Sequence, residues 1–447
     1  MAATDGTSRP RLRTTMMRTA CIGALAAWAQ VCAAAEAVEE APAPPQTPGV
    51  VPAPRPEGVP SLQMSTDYGN PALGFGTYAP IGQVESRGVR VEPFTIRAGI
   101  QAGIGYNDNV ALASTNKTGA LFATVSPSVA VGLEGSLARY YLVYRGNYGT
   151  YATNAQDDYA DHEVTLSAAN SWTTRFRTLA TYDYVHAHTP RGASVVLPTR
   201  TQRWDQHTLS ARGSYGSVGA IGGIDGDMAY TTRRYQSQDV GAVAEYDRFD
   251  VGGTFSYRVA PKTRTYVRVT YSDISHPRDS TLDSTENTYR VGVAWDALAT
   301  LTARGAVGYM VKDFSSASRA DFSGLGFDAA GTWTPRPQTA VELTATRALG
   351  ETFEPGVNFL VNTFGTVTWN ELWPRSIRST LSYTYGRVSR EGIGSQDTYI
   401  AAGGRVSYPI ARSFRIGAEY RYDSRNSEIP GADYTRNIFL ITAETAL

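Results

Sequence analysis

The spacing of the connections restricts this chain more than any single residue does. From Phe94 onward, short turns and longer polar stretches alternate along the sequence. The short ones fall at Glu134–Ala138, Trp172–Arg175, Gly216–Gly219, Ala260–Thr263, Ala297–Thr300, Pro335–Gln338, Glu371–Arg375 and Pro409–Ser413. The longer ones follow Asn107 and then fall near Thr153–Asp161, Ala187–Arg203, Tyr235–Ala242, Ser275–Glu286, Phe314–Asp321, Gly350–Val357, Val388–Gln396 and Ser424–Asp433. Between them apolar and polar side chains alternate. In the last hairpin, Phe414, Ile416, Ala418, Tyr420 and Tyr422 share one side, and Arg415, Gly417, Glu419, Arg421 and Asp423 the other. Successive side chains of a strand point to opposite faces, so each segment has one apolar face and one polar face.

This rhythm predicts an all-β fold: a transmembrane antiparallel up-and-down β-barrel of about 18 strands, at roughly 20 residues per strand and connection. Barrels of this kind have short periplasmic turns, longer extracellular loops and an even strand count. Closure leaves no strand edge with unpaired backbone groups. A propeller or solenoid also repeats, but neither predicts a long and short alternation. Trp172, Trp295, Trp333, Trp369 and Trp373 sit beside short turns and form the expected periplasmic aromatic girdle. Tyr182, Tyr184, Tyr230, Tyr271, Tyr309, Tyr383 and Tyr385 lie near the long stretches, where a second girdle belongs.

Composition agrees with strands that touch lipid on one face and water on the other. Of 447 residues, 42% are hydrophobic and 18% charged, with 27 Tyr and 43 Gly. Mean hydropathy is −0.27. No uncharged run of the ~18 apolar residues a spanning helix needs occurs beyond the N-terminal region. The net charge of zero gives no case for a nucleic-acid partner.

Residues 1–35 read as a signal peptide. Arg11, Arg13 and Arg18 precede the apolar run Ala20–Val31, and Ala33-Ala34-Ala35 offers a small-residue cleavage site. The two cysteines, Cys21 and Cys32, lie in this segment, so a chain lacking it carries no thiol. Residues 36–93 form a Pro-rich periplasmic linker and lead-in, and residues 94–447 the outer-membrane barrel. Secretion to the periplasm and insertion in the bacterial outer membrane follow as the expected route. Outer-membrane lipid, lipopolysaccharide and the barrel-assembly machinery follow as expected partners.

Placing each apolar set toward lipid turns the polar set toward the lumen. A lipid-facing Arg at mid-depth costs about 2–4 kcal/mol. The expected lumen lining is Arg97, Arg145, Arg177, Arg212, Arg268, Arg290, Arg304, Arg378, Arg405, Arg415 and Arg421 with Asp225, Asp250 and Glu419. Asp183, Asp227, Asp328 and Glu163 share this phase. Two readings of these charges stand side by side. They bias passage toward anions, or they pair across strands and stiffen the wall. Tyr141 and Tyr399 offer stacking faces to sugar rings.

No catalytic residues, metal site or cofactor are expected. His186 and His188 lie two apart, but two ligands do not make a zinc site. Ser167 near His162 and Ser210 near His207 are chance-level pairs, and no His-Glu-x-x-His or Gly-x-Ser-x-Gly pattern occurs.

The first hairpin carries a family resemblance. Gly103-Ile104-Gly105-Tyr106-Asn107-Asp108-Asn109-Val110, a polar loop, then Val125-Ser126-Pro127-Ser128-Val129 resembles the opening of the putative β-barrel porin 2 family. The resemblance spans about 94–447, with Asn109 and Pro127 the nearest matches. It implies an outer-membrane exit for exopolysaccharide or capsular polysaccharide, with a polysaccharide and a periplasmic export component as partners. An uptake porin and a structural or adhesion barrel with a closed lumen remain the alternatives.

Overall fold

The computed structural model describes residues 88–446, except 154, 194–200, 218, 237–244, 299, 353 and 355. The signal peptide, both cysteines and most of the expected linker lie outside the described residues. Among the described residues the strands are Val89–Val91 (β1), Phe94–Asn107 (β2), Ala120–Glu134 (β3), Ala138–Tyr151 (β4), Tyr159–Ser171 (β5), Phe176–Thr189 (β6), Gln202–Tyr215 (β7), Gly222–Tyr235 (β8), Tyr246–Ala260 (β9), Thr263–Ser275 (β10), Ser284–Leu298 (β11), Leu301–Phe314 (β12), Phe322–Arg336 (β13), Thr339–Gly350 (β14), Phe359–Leu372 (β15), Arg378–Glu391 (β16), Ser395–Pro409 (β17), Phe414–Ser427 (β18) and Tyr434–Ala446 (β19).

Each strand from β2 to β19 pairs antiparallel with its neighbours in sequence, and β19 closes on β2. Closure runs from Ile438↔Asn107 to Ala446↔Gly99. The result is a closed 18-stranded antiparallel barrel, with β1 as one extra strand. β1 pairs with the start of β2, Val89 opposite Ile96. It falls inside the expected lead-in, where Pro93 interrupts the alternation and hid it.

The strands of the barrel, β2 to β19, run from 12 to 15 residues. At ~3.3 Å per residue and a tilt of about 40°, such strands outreach a ~25 Å apolar band. The excess lies on the long-loop side. There the polar Ser389 and Arg390 belong to β16, and Ser424 to Ser427 belong to β18, not to loops. The β16–β17 connection is therefore only 392–394, so the alternation of long and short connections is not strict.

One face of the wall is apolar and exposed. Ile104, Leu325, Val307 and Ile441 are each at least 68% exposed there. Trp172, Trp295, Trp333 and Trp373 are exposed beside the short turns, and Tyr230, Tyr271, Tyr309, Tyr383 and Tyr385 toward the long loops. Trp369 and Trp373 meet edge to face, ring centroids 6.4 Å apart.

Local chemistry explains two irregularities. Pro127 has no N–H to give the ladder, and β3–β4 pairing skips from Val125↔Tyr148 to Ser128↔Arg145 across it. Gly146 leaves the room that the Pro127 ring occupies. Pairing of β13 with β14 stops at Phe327↔Arg347, so Phe322 to Gly326 have no partner strand on that side.

Candidate functional site: the inner wall and its two mouths

The period-two alternation puts Arg97, Arg145, Arg177, Arg212, Arg268, Arg290, Arg304, Arg378, Arg405, Arg415, Arg421, Asp225, Asp250 and Glu419 on the face opposite the exposed apolar side chains. Cross-strand register then brings opposite charges together. Arg145 lies opposite Glu163, 3.4 Å apart. Arg268 holds Asp227 through two bonds of 2.8 and 2.7 Å. Arg290 reaches Asp328 at 2.6 Å, and Arg212 reaches Asp225 at 3.2 Å. Arg405 pairs with Glu444. The wall is thus laced by ion pairs, as the stiffening reading expects. Planar guanidinium forks suit such bidentate pairing.

Toward the long loops the charges sink into closed networks. Lys312 is fully buried and donates to Glu286 at 2.9 Å and Glu351 at 2.8 Å. Arg248 joins Asp250, 2.9 Å away, to Glu286, 3.1 Å away. Arg390 bridges Glu354 and Asp397. Asp423 takes Arg421 at 2.8 Å and also Arg436. Each cation here faces at least one carboxylate, which offsets the cost of burial.

Loops fold onto the inner wall at this end. Arg425 of β18 donates Nη1 to Ala193 O at 2.8 Å and Nη2 to Gly192 O at 3.0 Å. It thereby ties the start of the β6–β7 connection, Gly192 and Ala193, to the inner face of β18. Gly192 has φ +73° and lies against Ala111 O, so a side chain there would be strained and crowded. Leu112, Ala193 and Tyr434 pack together under this contact. Arg191 forks onto Asp157 of the β4–β5 loop with two bonds of 2.6 Å. From the other side, Val357 of the β14–β15 loop packs on Leu360, Phe364, Val388 and Tyr399.

Apolar groups on the inner face were missed by assigning every apolar set to lipid. Phe122, Ile438 and Leu440 form a buried cluster there, with Gly105 between them. A Cβ at Gly105 would stand 2.8 Å from the Phe122 ring. Tyr399 is 1% exposed and bonded to Asp397, so it offers no stacking face, which corrects the expectation for that residue. Tyr141 donates to Glu134 at 2.6 Å near the turns.

The two Ser–His pairs noted in the sequence are not brought together. His162 and Ser167 are an odd number of positions apart on β5 and face opposite ways, as do His207 and Ser210 on β7. His186 bonds Asp205 at 2.8 Å, whereas His188 bonds Asp161 at 2.7 Å. Among the described residues no three His, Cys, Asp or Glu side chains are grouped to hold a metal ion. His276, in the β10–β11 loop, is buried with Nε2 3.6 Å from Glu351. Burial holds its imidazole below the usual histidine range, against the pull of Glu351.

The turn-side end differs. Arg97, Arg177, Arg304, Arg378 and Arg415 lie within the first few residues of β2, β6, β12, β16 and β18. The residues between the strands at this end include Arg175, Lys262, Arg375 and Arg412, with Glu134 and Glu371 bordering them at the ends of β3 and β15.

The FrpB iron transporter from Neisseria meningitidis shares 11% identity, with 74% of this chain and 62% of that chain covered and a TM-score of 0.41. This chain thus spans about three-fifths of the FrpB length. OpdO from Pseudomonas aeruginosa shares 13% identity over 80% of this chain and 98% of that one, with a TM-score of 0.45. The outer membrane protein OpdK from Pseudomonas aeruginosa shares 10% over 79% and 99%, with a TM-score of 0.42. No curated protein matches the chain. The family model described as Putative beta-barrel porin 2 matches residues 82–446, and the chain belongs to that family of bacterial outer-membrane barrels.

Proposed function

We propose that the barrel is a channel whose lumen gives exopolysaccharide its exit through the outer membrane. The observation that carries the channel reading is the charged inner wall of a closed 18-stranded barrel. An interior of that width is too wide for side chains to fill and holds water. The polymer cargo comes from the family resemblance of the first hairpin. Lipopolysaccharide outside and a periplasmic export component at the turn side are the partners this role needs. Deleting the gene is expected to abolish surface polymer and leave small-solute uptake unchanged. Intact polymer with impaired uptake would overturn the export role.

The loops folded onto the inner wall favour a second reading, a channel for small solutes. Arg425 on Gly192 and Ala193, and Arg390 on Glu354, narrow the extracellular mouth from two sides. A polymer then needs those contacts to open, whereas a small solute does not.

A further inference from the structure

Charge along the barrel axis is sorted by end. The residues between the strands at the short-turn end include Arg175, Lys262, Arg375 and Arg412, and the carboxylates bordering them, Glu134 and Glu371, sit at the ends of β3 and β15. The long connections are the reverse: Asp108, Asp157, Asp279, Asp283, Glu351 and Glu354 belong to a set of carboxylates that outnumbers the bases there. The inner wall repeats the asymmetry. Among the described residues its largest buried network, Lys312 with Glu286 and Glu351, lies toward the loops, whereas the turn side holds the buried pair Arg405–Glu444. On the turn side, inward arginines recur at the starts of the strands that leave the turns, and Arg97 and Arg304 are exposed to the lumen.

We propose that the turn-side mouth is an electropositive entrance that takes up a polyanionic saccharide, one bearing carboxylate or other acidic groups, from the periplasm. The proposal rests on the channel reading above and adds the cargo's charge and its side of entry. Short turns lie on the periplasmic side of such barrels, so the basic end faces the compartment from which an exported polymer arrives. A ring of one sign inside low-dielectric walls concentrates the opposite charge at its mouth. The inward direction of Arg97, Arg177, Arg304 and Arg378 favours a cargo within the lumen over an acidic protein docked on the rim. Guanidinium groups also match carboxylates with paired donors.

The test uses the full chain in planar bilayers under a potassium chloride gradient. Short oligogalacturonates are added to each side in turn, with neutral maltodextrins of the same length as the comparison. The reversal potential is expected to show anion preference. Oligogalacturonates are expected to block current from the turn side, and maltodextrins are not. Replacing Arg97, Arg177, Arg304 and Arg378 together by Gln is expected to lower the anion preference about threefold, while the matching Lys variant keeps it. Arg387→Gln, which removes one positive charge from the outer face of β16, is expected to change nothing, whereas Arg378→Gln alone, on the inner face of the same strand, is expected to lower the preference measurably. Should the Gln variant fail to fold, native protein still decides the matter. Block by oligogalacturonate must weaken steeply between about 0.1 and 1 M salt, where the Debye length falls from about 10 to 3 Å. Conductance without anion preference, or equal block by neutral sugar, overturns this inference and leaves the channel standing. No conductance, even after Arg425→Ala frees the loop, overturns the channel reading and this inference with it.

Discussion

Asp108 and Asn437, 329 positions apart, are joined by three hydrogen bonds, two of 2.7 Å to the Asp108 carboxylate and one of 3.1 Å from the Asp108 N–H to Asn437 O. The Asp108 carboxylate accepts from both the Asn437 backbone N–H and its Nδ2. Beside it, Asn109 is fully buried and donates Nδ2 to Ala113 O at 2.8 Å and to Thr435 O at 3.0 Å. The Asn-Asp-Asn run of the first hairpin is therefore a clasp. It folds its own loop and holds the first strand of the barrel to the last.

Asp108→Ala removes both acceptors and leaves the Asn437 donors without them. A loss of about 1–3 kcal/mol is expected, because groups left unsatisfied cost more than a typical bond contributes. Urea unfolding of the protein in liposomes measures this, and the folded band on unheated gels should weaken in parallel. An unchanged midpoint would show that closure rests on the β19–β2 ladder alone.

Lys312→Ala leaves Glu286 and Glu351 buried without their shared cation. Breaking such a site from one side typically costs about 3–5 kcal/mol. Glu351→Gln, which keeps Lys312 paired with Glu286, is expected to cost less. The same unfolding assay ranks the two, and the reverse order would contradict the assignment of Lys312 as the centre of the network.

His276 sets a pH dependence for the loop corner it shares with Glu351. Its folded-state pKa lies below the ordinary value near 6.5. The opened loop therefore binds a proton that the closed loop does not. Stability of the corner is full above about pH 6.5 and is lost as pH falls through that value toward the folded pKa. The hydrogen-exchange protection factors of residues 276–283 should fall over that window, and His276→Gln should remove the dependence. Asp279 in the same loop is held below the usual carboxylate range mainly by the Thr281 hydroxyl, so its own effect appears only at lower pH.

Arg425→Ala removes the donors that hold Gly192 and Ala193. The expected result is a larger single-channel conductance with more frequent flicker, because the β6–β7 loop loses its anchor on β18. Conductance equal to the parent protein would place the constriction elsewhere.

What was legible in the sequence followed from local periodicity. Strand alternation is a two-residue signal, so Phe414 to Tyr422 declare their faces without reference to anything distant. Turn residues such as Pro337 and Gln338 are equally local. Polar strand ends were not legible. Ser389 and Arg390 look like loop, yet Arg390 is buried between Glu354 and Asp397 in a network whose partners come from another strand and another loop. The Asp108–Asn437 clasp and the Arg425 hold on the β6–β7 loop depend on closure, which brings together residues that no local window contains. Tyr399 failed as a stacking residue for a related reason: its neighbours Phe364 and Val388 come from β15 and β16.

The central claim is that the charged inner wall bounds a water-filled passage. Liposome swelling with neutral sugars of graded size tests it most directly, using the native protein and Arg425→Ala side by side. Swelling with a size cutoff is expected, and the cutoff should rise when Arg425 is removed. No swelling with either protein, for the smallest sugar, would contradict it.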